Sequence, residues 1–157
     1  MSNEIDFDEL FNDSYERISN NKTEFYDLFY ERFLNSSFLV KNAFKNTDMT
    51  VQKKMLQKAL VHLISFSVSR KASEYLQEIA QKHIELNIHA EMYDLFIHSL
   101  LSALSECYPR FSNECAVAWR ITLSPGIEFM KHYGDVTAAK KQWYNKSLHR
   151  KLLRFAP

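Results

Sequence analysis

Within residues 76–93, Leu76, Ile79, Ala80 and His83 recur at helical spacing, so one helix carries an apolar stripe that ends in an imidazole. A histidine so placed faces whatever its helix packs against. It is either a hydrogen-bonded core group or a group presented to a ligand. Gln52 poses the same question, because it shares a helical face with Leu56, Ala59, Leu60 and Leu63. A side-chain amide left without a partner there loses about 1–3 kcal/mol, so either the core or a ligand must satisfy it. Other chemistries find no pattern in this chain. Cys107 and Cys115 lack metal-ligand spacing, and His62, His89, His98, His132 and His149 form no zinc motif. Two glycines cannot build a phosphate loop, and the serines and acids show no signature of a nucleophilic site.

The elements that must position these residues are helices. At 157 residues, 46% hydrophobic and 25% charged, the chain suits one globular domain with a substantial core. Residues 1–108 contain neither glycine nor proline, and a β-rich fold would need both for its turns, so the class is all-α. Phe7, Leu10, Phe11, Tyr15 and Ile18 predict a first helix that Asn20-Asn21 interrupts. Phe25, Phe29 and Phe33 stripe a second helix from about Thr23 to Leu34, which Asn35-Ser36-Ser37 ends before a short helical turn leading to Phe44. Thr47-Asp48 reads as an N-cap for the Gln52 helix. Tyr93, Phe96, Ile97, Leu100, Leu101 and Leu104 mark a long buried helix ending before Pro109. Ser112 caps the next, with Cys115, Ala118, Trp119, Thr122 and Leu123 inward; Pro125-Gly126 predicts a kink or break before Ile127, Met130 and Tyr133, and Gly134 a C-cap. Tyr144, Leu148, Leu152 and Phe155 suggest a last amphipathic helix whose stripe packs on the body.

Charge is uneven despite a net of +1. Residues 1–31 hold nine acids against Arg17 and Lys22, whereas residues 136–157 hold six Lys or Arg and no acid. The expectation is an acidic first helix and a basic last one, with Lys140, Lys141, Arg150, Lys151 and Arg154 toward solvent or toward that first helix. No nucleic-acid partner is expected, no apolar run approaches the ~20 residues of a membrane span, and no apolar signal segment opens the chain. Two cysteines and no such segment point to a cytoplasmic protein with reduced thiols.

Taken together, several motifs resemble the globin family, most nearly the single-domain bacterial haemoglobins and the globin part of flavohaemoglobins. A helix ends in His83, turns through Leu86-Asn87-Ile88, and gives way to a long apolar helix opening at Met92-Tyr93. Phe44 is followed by Lys-Asn-Thr-Asp-Met, Tyr30 lies fourteen residues before it, Gln52 and Leu56 follow, and Ala118-Trp119 matches the Ala-Trp of the family's last helix. The likeness covers roughly residues 5–133, spread over four helices. It implies a globin fold over 1–134, with 135–157 a basic helical extension of the same domain. It further implies one haem b whose iron His83 ligates on the proximal side. Phe44, Leu56, Ile79, Ile88, Tyr93 and Ile127 would contact the cofactor, and Tyr30 and Gln52 would be distal donors to dioxygen. Tyr26, one turn from Tyr30, is the rival for that position.

Dioxygen binding for storage or delivery is the function this resemblance implies first, with nitric oxide and carbon monoxide as further ligands. The alternatives are a nitric oxide dioxygenase served by a separate reductase, a gas sensor acting through a partner, and a signalling domain without haem. The chain would be a monomer or a homodimer. Two departures bear on the choice. Flavohaemoglobins place a glutamate behind the proximal histidine, and counting from Ala118-Trp119 that position is Gly134. Nothing after residue 134 could bind flavin or a nicotinamide, so any redox cycle would borrow its electrons.

Overall fold

With no glycine or proline before Pro109, the helices must be started and stopped by side chains. The computed structural model describes residues 4–153, and among them are eight α-helices and no strand: α1 (Phe7–Asn20), α2 (Lys22–Ser36), α3 (Phe38–Ala43), α4 (Met49–Ser69), α5 (Glu74–Glu85), α6 (Ala90–Cys107), α7 (Asn113–Lys131) and α8 (Tyr133–Leu153). Five begin on a capping oxygen that satisfies first-turn amides: Asp6 for α1, Ser37 for α3, Asp48 for α4, Ser73 for α5 and Ser112 for α7. Two stops use a left-handed residue in place of glycine, Arg70 after α4 (φ 55°) and Asn87 after α5 (φ 53°). No helix among the described residues is long and apolar enough to cross a membrane.

Aromatic packing holds the pairs together. On α2, Phe29 and Phe33 meet Phe96 of α6 edge-on at 5.3 and 6.0 Å, and Arg32 reaches across to pair with Glu106. Phe11 of α1 lies 4.7 Å from the Trp119 ring of α7, and the buried Trp119 Nε1–H donates to Ser14 Oγ at 2.8 Å. Where α4 crosses α7, a Cβ on Gly126 would lie 2.5 Å from Leu63 Cδ2, so a larger residue there would make the Leu63 side chain shift.

Three expectations change here. The break at Pro125-Gly126 does not occur, since α7 runs through both residues. Proline removes one helical hydrogen bond, but the close packing of Gly126 on α4 keeps the segment helical. Gly134 is not a C-cap. His132 caps α7, while Gly134 sits in the first turn of α8, where an added Cβ would be 3.3 Å from Ile84 Cδ1. Nor does the tail stripe pack on the body: α8 touches α5 and α7, but Tyr144 is 61% exposed and Leu148 40%. Every residue from Ala138 to Lys146 is exposed, because the helix leaves the body after its opening turns. Among the described residues, Lys140, Lys141 and Arg150 form no ion pair with α1. The Lys151 and Leu152 side chains, and Arg154 and Phe155 as a whole, lie outside what the structure describes.

The Trp119–Ser14 bond gives a direct stability test. Ser14→Ala leaves the buried indole N–H without an acceptor, a cost of about 1–3 kcal/mol. At about 2–4 °C per kcal/mol for a chain of this size, the melting temperature should fall by roughly 2–12 °C. Adding Trp119→Phe to Ser14→Ala should cost less than the sum of the two single changes, and calorimetry that finds full additivity would rule out the bond as the cause.

Candidate functional site

The site grows from the end of α5. Leu76 and Ala80 are fully buried and seat the helix, while Tyr75, Ile79 and His83, spaced four apart, share the adjoining face. The helix then stops at once. Asn87 takes the left-handed conformation, its N–H donates to Ile84 O at 3.0 Å, and the Ile88 N–H donates to His83 O at 3.0 Å. The main chain of His83 is thereby tied into the turn. Its ring is tied to the next helix, with Nδ1 lying 3.0 Å from Tyr93 Oη of α6.

His83 borders a cavity of about 510 Å³. Every residue singled out from the sequence lines it: Tyr30 from α2, Phe44 beyond α3, Gln52 and Leu56 from α4, Ile79 and His83 from α5, Ile88 from the turn, Tyr93 from α6 and Ile127 from α7. Tyr26 does not. The lining is mostly apolar with a few polar groups, the usual make-up of a small-molecule or cofactor site. A second concavity of about 450 Å³ lies between α6 and α7, with polar and apolar lining in equal measure and with Lys131 paired to Asp94 and Glu128. Among the described residues no three or more His, Cys, Asp or Glu come together to hold a bare metal ion.

A family model described as Globin matches residues 28–125, more than half of the chain and the segment that supplies nearly all of this cavity. The chain belongs to the globin family. Its fold is similar to the crystal structure of a Pseudomonas aeruginosa protein described as structurally highly homologous to a human haemoglobin. The two are 32% identical over 82% of this chain and 98% of that one, with a TM-score of 0.74. No curated protein matches. Family membership implies haem binding in general, and the cavity of this globin suits a flat apolar macrocycle: Phe44, Leu56, Ile79 and Ile127 offer apolar contact, and one imidazole stands among them.

Sequence reasoning missed Tyr75, Met55 and Lys82, which also line the cavity of the globin. Tyr75 was open to inference, since it stands two i, i+4 steps before His83. Lys82 was not, because a helical residue next to a stripe reads as solvent-facing.

Electrostatics in the globin fix the protonation states. Burial, aided by the positive charge of Lys82, lowers the His83 pKa from 6.5 to about 4, so the imidazole is neutral near pH 7. Burial raises Tyr93 to about 12 and keeps its hydroxyl protonated. When Nδ1 carries the single imidazole proton and donates it to Tyr93 Oη, Nε2 keeps its lone pair for a ligand. Burial also raises Tyr30 to about 12, against a smaller lowering by the side-chain amide of Gln52. Its Oη donates to the Gln52 backbone oxygen at 3.4 Å, a long bond that constrains the hydroxyl weakly.

A depressed histidine pKa links stability to pH. Between the unfolded value of 6.5 and the folded value of about 4, the unfolded chain binds more protons, so the stability of the protein without haem should fall as pH drops through that window. His83→Leu cannot titrate and should show a shallower decline than the parent from pH 6.5 to 4 by urea unfolding. Parallel slopes would mean that His83 is not held neutral in the fold.

Proposed function

We propose that this globin holds one haem b in the α2–α7 cavity and binds dioxygen reversibly. The reading is carried by one arrangement: a neutral imidazole, bonded through Nδ1 to Tyr93, shares an apolar cavity with a weakly held tyrosine hydroxyl and a glutamine from α2 and α4. Haem iron held there would supply the binding of a diatomic gas. The rest is the work of the chain. His83 Nε2 would hold the iron, and Tyr93, bonded at Nδ1, would hold the ring in orientation. Phe44, Leu56, Ile79, Ile88 and Ile127 contact the macrocycle and keep water away, while Lys82, an exposed cation on the rim, suits carboxylates at its edge. Tyr30, held protonated, can turn its O–H from the Gln52 carbonyl toward a gas ligand that gains negative charge, and the Gln52 amide can add a second donor.

Reversible binding is favoured over bond-cleaving chemistry by the partner of the imidazole. Tyr93 is a neutral phenol, whereas a carboxylate there would push the ring toward imidazolate. Gly134 lies against Ile84 instead.

Two sets of variants test the proposal. His83→Gly should lose haem readily and regain a five-coordinate ferrous spectrum when free imidazole is added; an unaltered spectrum in the variant would move the axial ligand to another residue. One hydrogen bond to a partly charged ligand contributes about 1.5–3 kcal/mol, so Tyr30→Phe should speed dioxygen release by roughly ten- to a hundredfold and carbon monoxide release much less. Tyr26→Phe should change neither. Flash photolysis and stopped-flow measurements on the three proteins decide the matter, and equal dioxygen release from the parent and Tyr30→Phe would remove Tyr30 from the donor role.

A further inference from the structure

Tyr75 is a residue on the cavity wall that neither the family resemblance nor the proposed gas chemistry uses. It stands one residue inside the start of α5, and its half-buried ring reaches back onto α4. There it rests among three side chains or backbone groups from successive turns of that helix. Its Oη donates to the Met55 backbone oxygen at 3.4 Å, Lys58 Nζ lies 4.0 Å from the ring centroid, and the His62 ring is 4.7 Å away and tilted by 40°. The seat is braced from behind. His62 Nδ1 is 2.8 Å from Ser73 Oγ, and that same oxygen accepts the Leu76 N–H to cap α5. The Tyr75 ring, the His62 imidazole and the α5 cap therefore form one connected unit between α4 and α5.

From these contacts we infer that Tyr75 is a clasp that sets α5 against α4, and so positions His83 and closes this edge of the haem cavity; the inference rests on the haem reading above. The geometry is direct. Tyr75 and His83 are eight residues apart on one helical face, or about 12 Å along a helix that rises 1.5 Å per residue, and Ile79 lies between them. A helix of 12 residues moves as a rod over that length, so freeing its first turn from α4 lets its last turn tilt. Tyr93 then holds the imidazole by one hydrogen bond alone. The ring itself carries the clasp, since the hydroxyl bond is long while the cation and the imidazole both lie against the ring.

The test uses the haem-loaded full chain. Haem loss is followed by transfer to an excess of an apo-globin acceptor, and the iron–imidazole bond is followed by resonance Raman spectroscopy of the ferrous protein. Tyr75→Ala should speed haem loss by about tenfold and shift or broaden the iron–imidazole stretching band. Tyr75→Phe, which keeps the ring, should stay within about twofold of the parent in rate and leave the band in place. Lys58→Met, a surface change suited to the case in which Tyr75→Ala does not fold, should speed loss by about two- to fivefold through the missing cation–ring contact. Parental haem loss in both Tyr75→Ala and Lys58→Met would overturn the inference, as would faster loss with an unmoved stretching band, which would mark Tyr75 as a plug rather than a positioning residue. Equal acceleration by Tyr75→Phe and Tyr75→Ala would overturn the ring-based clasp. A parent chain that takes up no haemin would instead defeat the haem reading itself, and that is seen before any Tyr75 variant is made.

Discussion

The hydrogen bond between His83 Nδ1 and Tyr93 Oη is the constraint on which the site depends. It joins two helices across a turn of four residues, and the turn works only because Asn87 accepts a left-handed backbone and returns two amides to the end of α5. Ring and main chain of His83 are thus fixed by separate bonds. Burial removes the charge from the imidazole, and a phenol that is itself held neutral is its partner at Nδ1. Without that pairing, the histidine would be a polar group on an apolar stripe, costly to bury and free to turn.

Around this pair the fold gives rigidity to some walls and freedom to others. On the α1–α7 side, the Trp119–Ser14 bond and the Phe11 contact are buried, and at the α4–α7 crossing Gly126 leaves room for the Leu63 side chain. On the α2–α4 side, Tyr30 is held only by one long bond to a backbone carbonyl, so its hydroxyl can be redirected at little cost. The imidazole is thus held more firmly than the tyrosine hydroxyl that lines the same cavity.

The α4–α5 edge links the two. These helices are consecutive in the chain, and the connection between them is short, so the Ser73 cap, His62 and Tyr75 lie where the chain itself brings α5 back toward α4. A local event in the sequence, the start of a helix, is thereby coupled to the position of a side chain about two turns away. The tail shows the opposite behaviour. α8 has basic residues and large exposed rings but, beyond its opening turns, little of the body beneath it.

How much of this was legible in the sequence follows from the range of the forces involved. Helix class, caps and inward faces depend on neighbours three or four residues apart, so Asp48, Ser112, the Phe29 and Phe33 stripe and the stop after His83 could be read directly. The convergence of Tyr30, Phe44, Gln52 and His83 on one cavity was legible only through the family resemblance, because no local rule brings α2 beside α5. What tertiary structure alone decided were the questions that need a second surface. Pro125 and Gly126 read as a kink or a break, yet α7 runs through both with Leu63 against the glycine, and Gly134 read as a cap until Ile84 is seen against it. Tyr144 and Leu148 have the spacing of a buried stripe, yet periodicity states only which residues share a face. Whether anything lies opposite that face is settled by where the rest of the chain goes.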